Sequence, residues 1–439
     1  MTGGAGKMFD ALRAALGRTP ARETRLWHRL RLAYKARLAR AELERVAASP
    51  EFRRKRRLLI INHHFQGELK ALEAARAGFP DVALLALPPE PFFTPLVYLF
   101  PQEIRCAREP YDAPRFAPLR KEARRLSRTI YDQIQAVYPF EAVVTPSDSF
   151  YWLREFIMVC REGGIPVFVA DKEGTISPRS FESEPLRISE CFPPISDQYL
   201  VWSQRQSDFW KKAGVPGERI KVTGSARSDL FVSMRRKPPE NVVFFDFDSD
   251  AYINVLDWSR LAWTGERNWH YLRAAFRNAA ARVAAEFPRI EVILKCHPQQ
   301  LSYDSHGSRL ASVRNVRIIR GAEVSELLQR SYAVAGFQTT ALMEAALARI
   351  PVFYAAWGGL FEAVSKEILP FHEPGYGMTL CRSEDAIVDN VRRAIKAGGS
   401  LPPPDAAKLA LFFHNPDGNC AKRLIQAALD LSSRRPARC

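Results

Sequence analysis

Residues 292–298 read Val-Ile-Leu-Lys-Cys-His-Pro, an apolar run that ends in a lysine, a thiol and an imidazole. Lys295 and His297 stand at the tip of a predicted strand, and Pro298, which has no N–H to offer a ladder, forbids its continuation. Cys296 beside His297 invites a nucleophile reading, but a buried strand-end cysteine is the commoner arrangement. A second stretch, residues 335–353, reads as a strand ending at Gly336, then a polar turn of Gln338, Thr339 and Thr340, then a helix with Glu344 about one turn in. Hydroxyls and free backbone N–H groups at a helix N-terminus make an anion site that suits a phosphate or diphosphate. Glu344 is placed to accept hydrogen bonds from a ribose. The plainer alternative is that Thr339 or Thr340 only caps the helix.

Polar residues gather after other apolar runs too. Asn62, His63, His64 and Gln66 follow the first, Ser147, Asp148 and Ser149 another, and Asp171, Lys172, Glu173, Gly174 and Thr175 a third. Further along stand Gly224, Ser225, Arg227 and Asp229, and then Asp246, Asp248 and Asp250. The last three look like a carboxylate cluster for a hard cation such as Mg²⁺. They share a face only if the strand persists, however, and the segment falls where a loop should start. Solvated loop acids and no metal are expected. The seven cysteines are scattered singly with no CxxC pair, which argues against a disulfide framework and a structural zinc site.

The elements that must hold these residues are short continuous apolar runs separated by helical patterns. Runs at 58–62, 82–87, 142–146, 167–171, 199–203 and 220–224 precede a charged, proline-rich linker at 234–241. The alternation then restarts at 242–248, 292–296, 316–320, 333–337 and 351–355. Such runs predict parallel sheets covered on both faces, an α/β chain of two tandem Rossmann-like domains. The expected division is a basic helical segment over 1–57, a first domain over 58–233 and a second over 234–439, whose last helix could cross back. Ligands of such sheets sit outside the carboxyl ends of the strands, so the cleft between the domains is the expected site.

The chain of 439 residues carries a formal charge of +16. Residues 18–57 hold 14 Lys or Arg against four Glu, an excess of ten positive charges. Within them Leu26, Trp27, Leu30, Tyr34, Leu38 and Ala41 recur at helical spacing, flanked by Arg25, Arg29, Lys35 and Arg40. This basic amphipathic helix suits an anionic membrane surface or packing on its own protein. Nucleic acid is not expected, since no zinc-finger or RNP-type pattern accompanies it. No apolar run approaches the roughly 20 residues that span a bilayer, and no signal-peptide pattern opens the chain. A cytoplasmic protein, peripheral on the inner membrane face, is expected.

Taken together, the segments resemble GT-B-fold transferases that build bacterial surface polysaccharides, in particular CDP-glycerol glycerophosphotransferases and the capsule Kdo and polysialic acid transferases. Residues 199–231 are similar to the stretch that ends in a Gly-Asn-Pro-Arg-x-Asp turn, here Gly224, Ser225, Ala226, Arg227, Ser228 and Asp229. Residues 294–298 resemble the Lys-x-His-Pro motif, residues 337–352 the Ser/Thr-rich turn with a following Glu-Ala, and residues 415–424 the late Asp-Gly-x-x-x-x-Arg helix start. Residues 171–174 are similar to a paired-acid-Gly motif, with Lys172 where an acid is usual.

The resemblance implies an inverting, metal-independent glycosyltransferase without a resident cofactor, using a nucleotide-sugar donor, CMP- or CDP-linked, and a glycan or lipid-linked glycan acceptor. Lys295, His297, Pro298, Gln338, Thr339, Thr340, Glu344, Gly224, Ser225 and Arg227 would contact the donor. His297 would face its phosphate, stabilising the charge that builds as the nucleotide leaves. Glu173 would take the acceptor proton if burial raised its basicity, with Asp148, His63 and His64 in reserve. A GT-B UDP-sugar 2-epimerase, which needs no acceptor, and a non-catalytic adaptor on a degenerate transferase fold are the rival readings.

Overall fold

In the computed structural model the described residues are 55–97, 99–247, 258–297, 310, 313–399 and 405–434. The basic helix expected over residues 26–41, together with Asp248, Asp250 and Pro298, lies outside them.

Two parallel six-stranded sheets organise the chain. The first contains β1 (Arg56–Ile61), β2 (Val82–Leu87), β3 (Ala142–Thr145), β4 (Val167–Ala170), β5 (Gln198–Val201) and β6 (Ile220–Val222), in the order β2-β1-β3-β4-β5-β6. The second contains β7 (Asn241–Phe245), β8 (Glu291–Lys295), β9 (Val316–Ile319), β10 (Ser331–Gly336), β11 (Val352–Ala355) and β12 (Met378–Cys381), in the order β12-β11-β10-β7-β8-β9. Each order reverses once, between β1 and β3 and between β7 and β10. Neighbouring strand ends diverge at such switch points and leave a crevice. Asn62 and His63 stand beside one crevice, and Phe337 and Gln338 beside the other.

The central strands are buried along their whole length, as in β3, β4, β7 and β11. That is why they read as unbroken apolar runs and why helices must cover both faces. Every run expected to be a strand is one, within a few residues. β12 is additional: Met-Thr-Leu-Cys is short, only its last residue is buried, and it lies at the edge of its sheet. An edge strand with one covered face gives no continuous apolar signal.

The last helix, Cys420–Arg434, is built after the second sheet yet packs on the first. Its Ala421, Leu424, Ile425, Ala428 and Leu429 bury against Leu58, Ile60, Phe65 and Leu72. Two polar devices hold its start. Asp229 accepts the Cys420 N–H at 3.1 Å and the Ala421 N–H at 2.8 Å, capping the helix across about half the chain. Arg423 donates to the Thr223 carbonyl at 2.8 Å and pairs with both oxygens of Asp417 at 3.0 and 2.9 Å. Gly224 makes the close approach possible, with φ at +84° and with the Cys420 sulfur where a Cβ would go, 2.5 Å away. The late Asp-Gly…Arg motif and the outer residues of the Gly224–Asp229 turn therefore lock the helix to the first domain.

Asp229→Ala strands two buried N–H donors and should cost about 2 kcal/mol in a urea unfolding experiment. An unchanged midpoint would show that the cap does not hold this helix.

Candidate functional site

The turn Gly224–Asp229 divides its labour. Ser225 is fully buried and its carbonyl accepts from Ser228, so it shapes the turn. Gly224 and Asp229 face the last helix. Only Arg227 turns toward the second domain. Its Nε lies 2.8 Å from Glu344 and 3.7 Å from Glu68, and its Nη2 points at the Thr340 hydroxyl at 3.5 Å. Its guanidinium also covers the Trp202 ring at 5.7 Å. The donor contacts expected of Gly224 and Ser225 are thus replaced by structural roles, because both are enclosed by their own domain.

Glu344 is buried in the helix Thr340–Leu347, and burial pushes its carboxyl up to about 7, opposed by Arg227 and reinforced by Glu68. Glu68, in the first turn of the helix Gln66–Ala75, is also buried and held above the ordinary carboxylate range by desolvation, with Arg227 the main opposing charge. Neither of its oxygens accepts a hydrogen bond. Gly67 lets Arg227 in: a Cβ there would stand 2.4 Å from the arginine Cδ. Glu68 escaped notice in the sequence because it follows no apolar run directly; Gly67 beside it is the one cue to a close approach.

Thr339 caps its helix, accepting from the Ala341 N–H at 3.4 Å. Gln338 is committed elsewhere. At a φ of +47° it donates to the Tyr354 hydroxyl at 2.7 Å and the Leu369 carbonyl at 3.0 Å, and accepts from the Leu369 N–H at 2.9 Å. With its amide spent on that loop, it has a structural role rather than a donor contact. Asp246, at the end of β7, is clamped by Arg277 at 2.6 Å and Arg273 at 3.3 Å. A buried carboxylate so paired supports the fold.

Lys295 is buried at the end of β8, where desolvation lowers its basicity against the charges of Cys296, Glu323 and Glu344. His297, two residues on, is half-buried, and its imidazole is held below its usual range by burial, Lys295 and His64, with Glu173 opposing. Glu173 and His64 belong to the first domain, so their closeness to His297, together with the 2.8 Å contact of Arg227 with Glu344, puts the two sets of strand ends on one cleft.

On the first-domain side Glu173 is exposed and pairs with Lys172 at 3.2 Å. The burial expected to make it a stronger base is missing, because the turn after β4 carries it out to solvent. Asp171, half-buried at the root of that turn, accepts the Glu173 N–H at 3.0 Å, and desolvation pushes its carboxyl up to about 7. Asp148 is turned inward and fully buried: one oxygen accepts the N–H groups of Ile195 and Ser196, both at 2.9 Å, and the Tyr199 hydroxyl. It ties β3 to β5 and does not reach the cleft. The tilted rings of His63 and His64 lie 4.4 Å apart, and His63 makes T-shaped contacts with Phe150 at 5.0 Å and Trp152 at 5.2 Å. This aromatic group, with exposed Phe93 against Trp152, rims the first switch point.

No family profile and no curated protein matches this sequence. Solved structures do. A UDP-GlcNAc 2-epimerase from Methanocaldococcus jannaschii aligns over 86% of this chain and 99% of its own, with 12% identity and a TM-score of 0.50. A protein from Listeria monocytogenes described as a UDP-N-acetylglucosamine 2-epimerase aligns over 88% and 98%, with 11% identity and a TM-score of 0.51. The wall teichoic acid polymerase TagF covers 95% of this chain and 100% of its own, at 10% identity and a TM-score of 0.48, and adds no weight. At such identities the likeness is one of fold, and the chain has the two-domain GT-B architecture.

His63 gives a test of the first-domain rim. Its imidazole is lowered to about 4, by burial first and then by His64 and Lys172. The folded state therefore resists its protonation, and stability should fall as pH drops from about 6.5 toward 4. His63→Phe keeps a ring and removes the titration, so its urea midpoint should fall less over that window. Equal falls would contradict the placement.

Proposed function

We propose that the chain is an inverting, metal-independent glycosyltransferase. It transfers a sugar or sugar-like unit from a nucleotide-activated donor, CMP- or CDP-linked, to a bacterial surface glycan such as capsule or lipopolysaccharide. The observation that carries this reading is the meeting across the cleft of His297, beside Lys295, with Glu173 and His64, next to the Arg227–Glu344 contact. A cationic strand tip beside a helix N-terminus with a buried acid suits the phosphates and ribose of a nucleotide, and a carboxylate opposite suits an acceptor hydroxyl.

In this reaction the acceptor oxygen attacks the anomeric carbon while the bond from that carbon to the donor phosphate oxygen breaks. The acceptor proton passes to Glu173, and the freed nucleotide phosphate collects the departing electron pair. Lys295 and His297 hold that growing charge in a site poor in water, where donors already in position need no reorganisation. The Thr340 helix start takes phosphate oxygens, and Glu344 accepts from the ribose hydroxyls. Glu173 remains the acid assigned to the acceptor because its charge reaches His63, His64 and His297. Among the described residues no helix is long and apolar enough to cross a membrane. A lipid-linked acceptor would be met through the basic segment before residue 58, at the inner face of the cytoplasmic membrane.

Thermal stabilisation by CMP, CDP, UDP, GDP and ADP, with and without Mg²⁺, tests the donor side. One nucleotide should stabilise selectively and independently of metal, by about 2.7 kcal/mol at a hundredfold excess over Kd. His297→Ala should weaken that binding at least tenfold. Glu173→Gln should keep the affinity and lower transfer about 100-fold, in the usual range for a lost general base. No stabilisation by any nucleotide would contradict the reading. Epimer or free sugar formed from a UDP-sugar without acceptor would replace it with the epimerase.

A further inference from the structure

Two buried carboxylates, Glu68 from the first domain and Glu344 from the second, share the guanidinium of Arg227. The Nε contact is 2.8 Å to Glu344 and 3.7 Å to Glu68, so the tighter pair is with Glu344. Glu68 is left with two oxygens that accept no hydrogen bond. Two carboxylates cannot both stay ionised at low cost beside one cation away from water, so the cluster retains a proton that Glu68 and Glu344 share. The other charges that face the cluster are Lys172 and Glu173 from the turn after β4, Lys295 from β8, and Glu323 ahead of the helix Val324–Leu328. An ion pair therefore occupies the acid assigned to the ribose.

We propose that Arg227 is an exchangeable occupant of the nucleoside position: it holds Glu344 while the cleft is empty and moves onto Glu68 when ribose hydroxyls take Glu344. The inference rests on the reading of Glu344 as the ribose acceptor. On exchange, the ribose hydroxyls donate to the Glu344 carboxylate and Arg227 pairs with Glu68. The shared proton leaves to solvent, and the Glu68 anion replaces the one the guanidinium gave up. Glu68 thus acts as a positioning residue, supplying the second berth that makes release of Glu344 possible. Without it, a bound ribose would leave a half-buried guanidinium unpaired or would have to compete with it directly.

Glu68→Gln separates this role from a structural one, since the amide matches the shape of the protonated acid yet cannot become an anion. Calorimetric titration of the full chain with the best-bound nucleoside diphosphate, in two buffers of different ionisation enthalpy, reads affinity and proton release together. The parent should release about one proton, whereas Glu68→Gln should release none and bind about tenfold more weakly with an unchanged thermal midpoint at pH 5. Equal affinity and equal proton release in the two proteins would overturn the exchange alone. Binding of no nucleoside diphosphate by the parent would overturn the nucleotide reading and the exchange with it.

Urea unfolding between pH 5 and pH 9 needs no ligand. Glu344 is raised from 4.5 to about 7 in the fold, so the folded state holds the proton more tightly than the unfolded chain. The stability this gives is present at low pH and is lost as pH rises through about 7. Removing the Glu68 charge should flatten that loss, and identical slopes would overturn the shared proton.

Discussion

One guanidinium between two buried carboxylates joins the halves of this protein. Arg227 leaves the first domain at the turn after β6 and reaches both Glu68 and Glu344, one on each side of the cleft. The rest of the local architecture serves this contact. Gly67 clears its path, Trp202 lies under the guanidinium, and Gly174 lies so close to the Trp202 ring that a Cβ would stand 2.2 Å from it. The neighbouring Asp229 fixes the same turn from behind by capping the last helix. Breaking a buried pair of this kind costs far more than its net contribution, because an uncompensated charge remains.

Strand topology also gathers charge in the cleft. Parallel strands deliver their carboxyl ends to one edge, and each sheet has a single switch point where side chains from separate crossovers can meet. At the second, buried Lys295 and half-buried His297 stand near Glu344; at the first, His63 and His64 stand near the Lys172–Glu173 turn. Desolvation and like charges lower the affinity of each histidine for a proton. An arriving phosphate would reverse that balance, because a nearby anion favours the imidazolium. Under the proposed function, the site would gain positive character as a nucleotide enters it.

Much of this frame was legible in the sequence, because strands buried on both faces write continuous apolar runs and their ends can be counted. The strand ends that lead to Lys295, to the Arg227 turn and to the helix bearing Glu344 were recognisable for that reason. What one strand end cannot reveal is the direction its residues face. Gln338 lies beside the candidate phosphate turn but is spent on Leu369, 31 residues away. Asp148 sits in a polar turn that resembles a catalytic one, yet three donors draw its carboxylate inward. Glu173 lacks the burial expected of it, and Asp171 beside it has acquired the near-neutral carboxyl instead. Glu68 lies inside a helix rather than at a strand end, and only the tertiary contact with Arg227 distinguishes it. β12 has the sparse pattern of an edge strand.

The most direct test is a crystal structure of the protein with its best-bound nucleoside diphosphate. The ribose should lie on Glu344, with the diphosphate between the start of the Thr340 helix and the pair Lys295 and His297, and with the Arg227 guanidinium shifted toward Glu68. A nucleotide bound away from the β8 and β10 strand ends, or a ribose that leaves the Arg227–Glu344 pair intact, would contradict it.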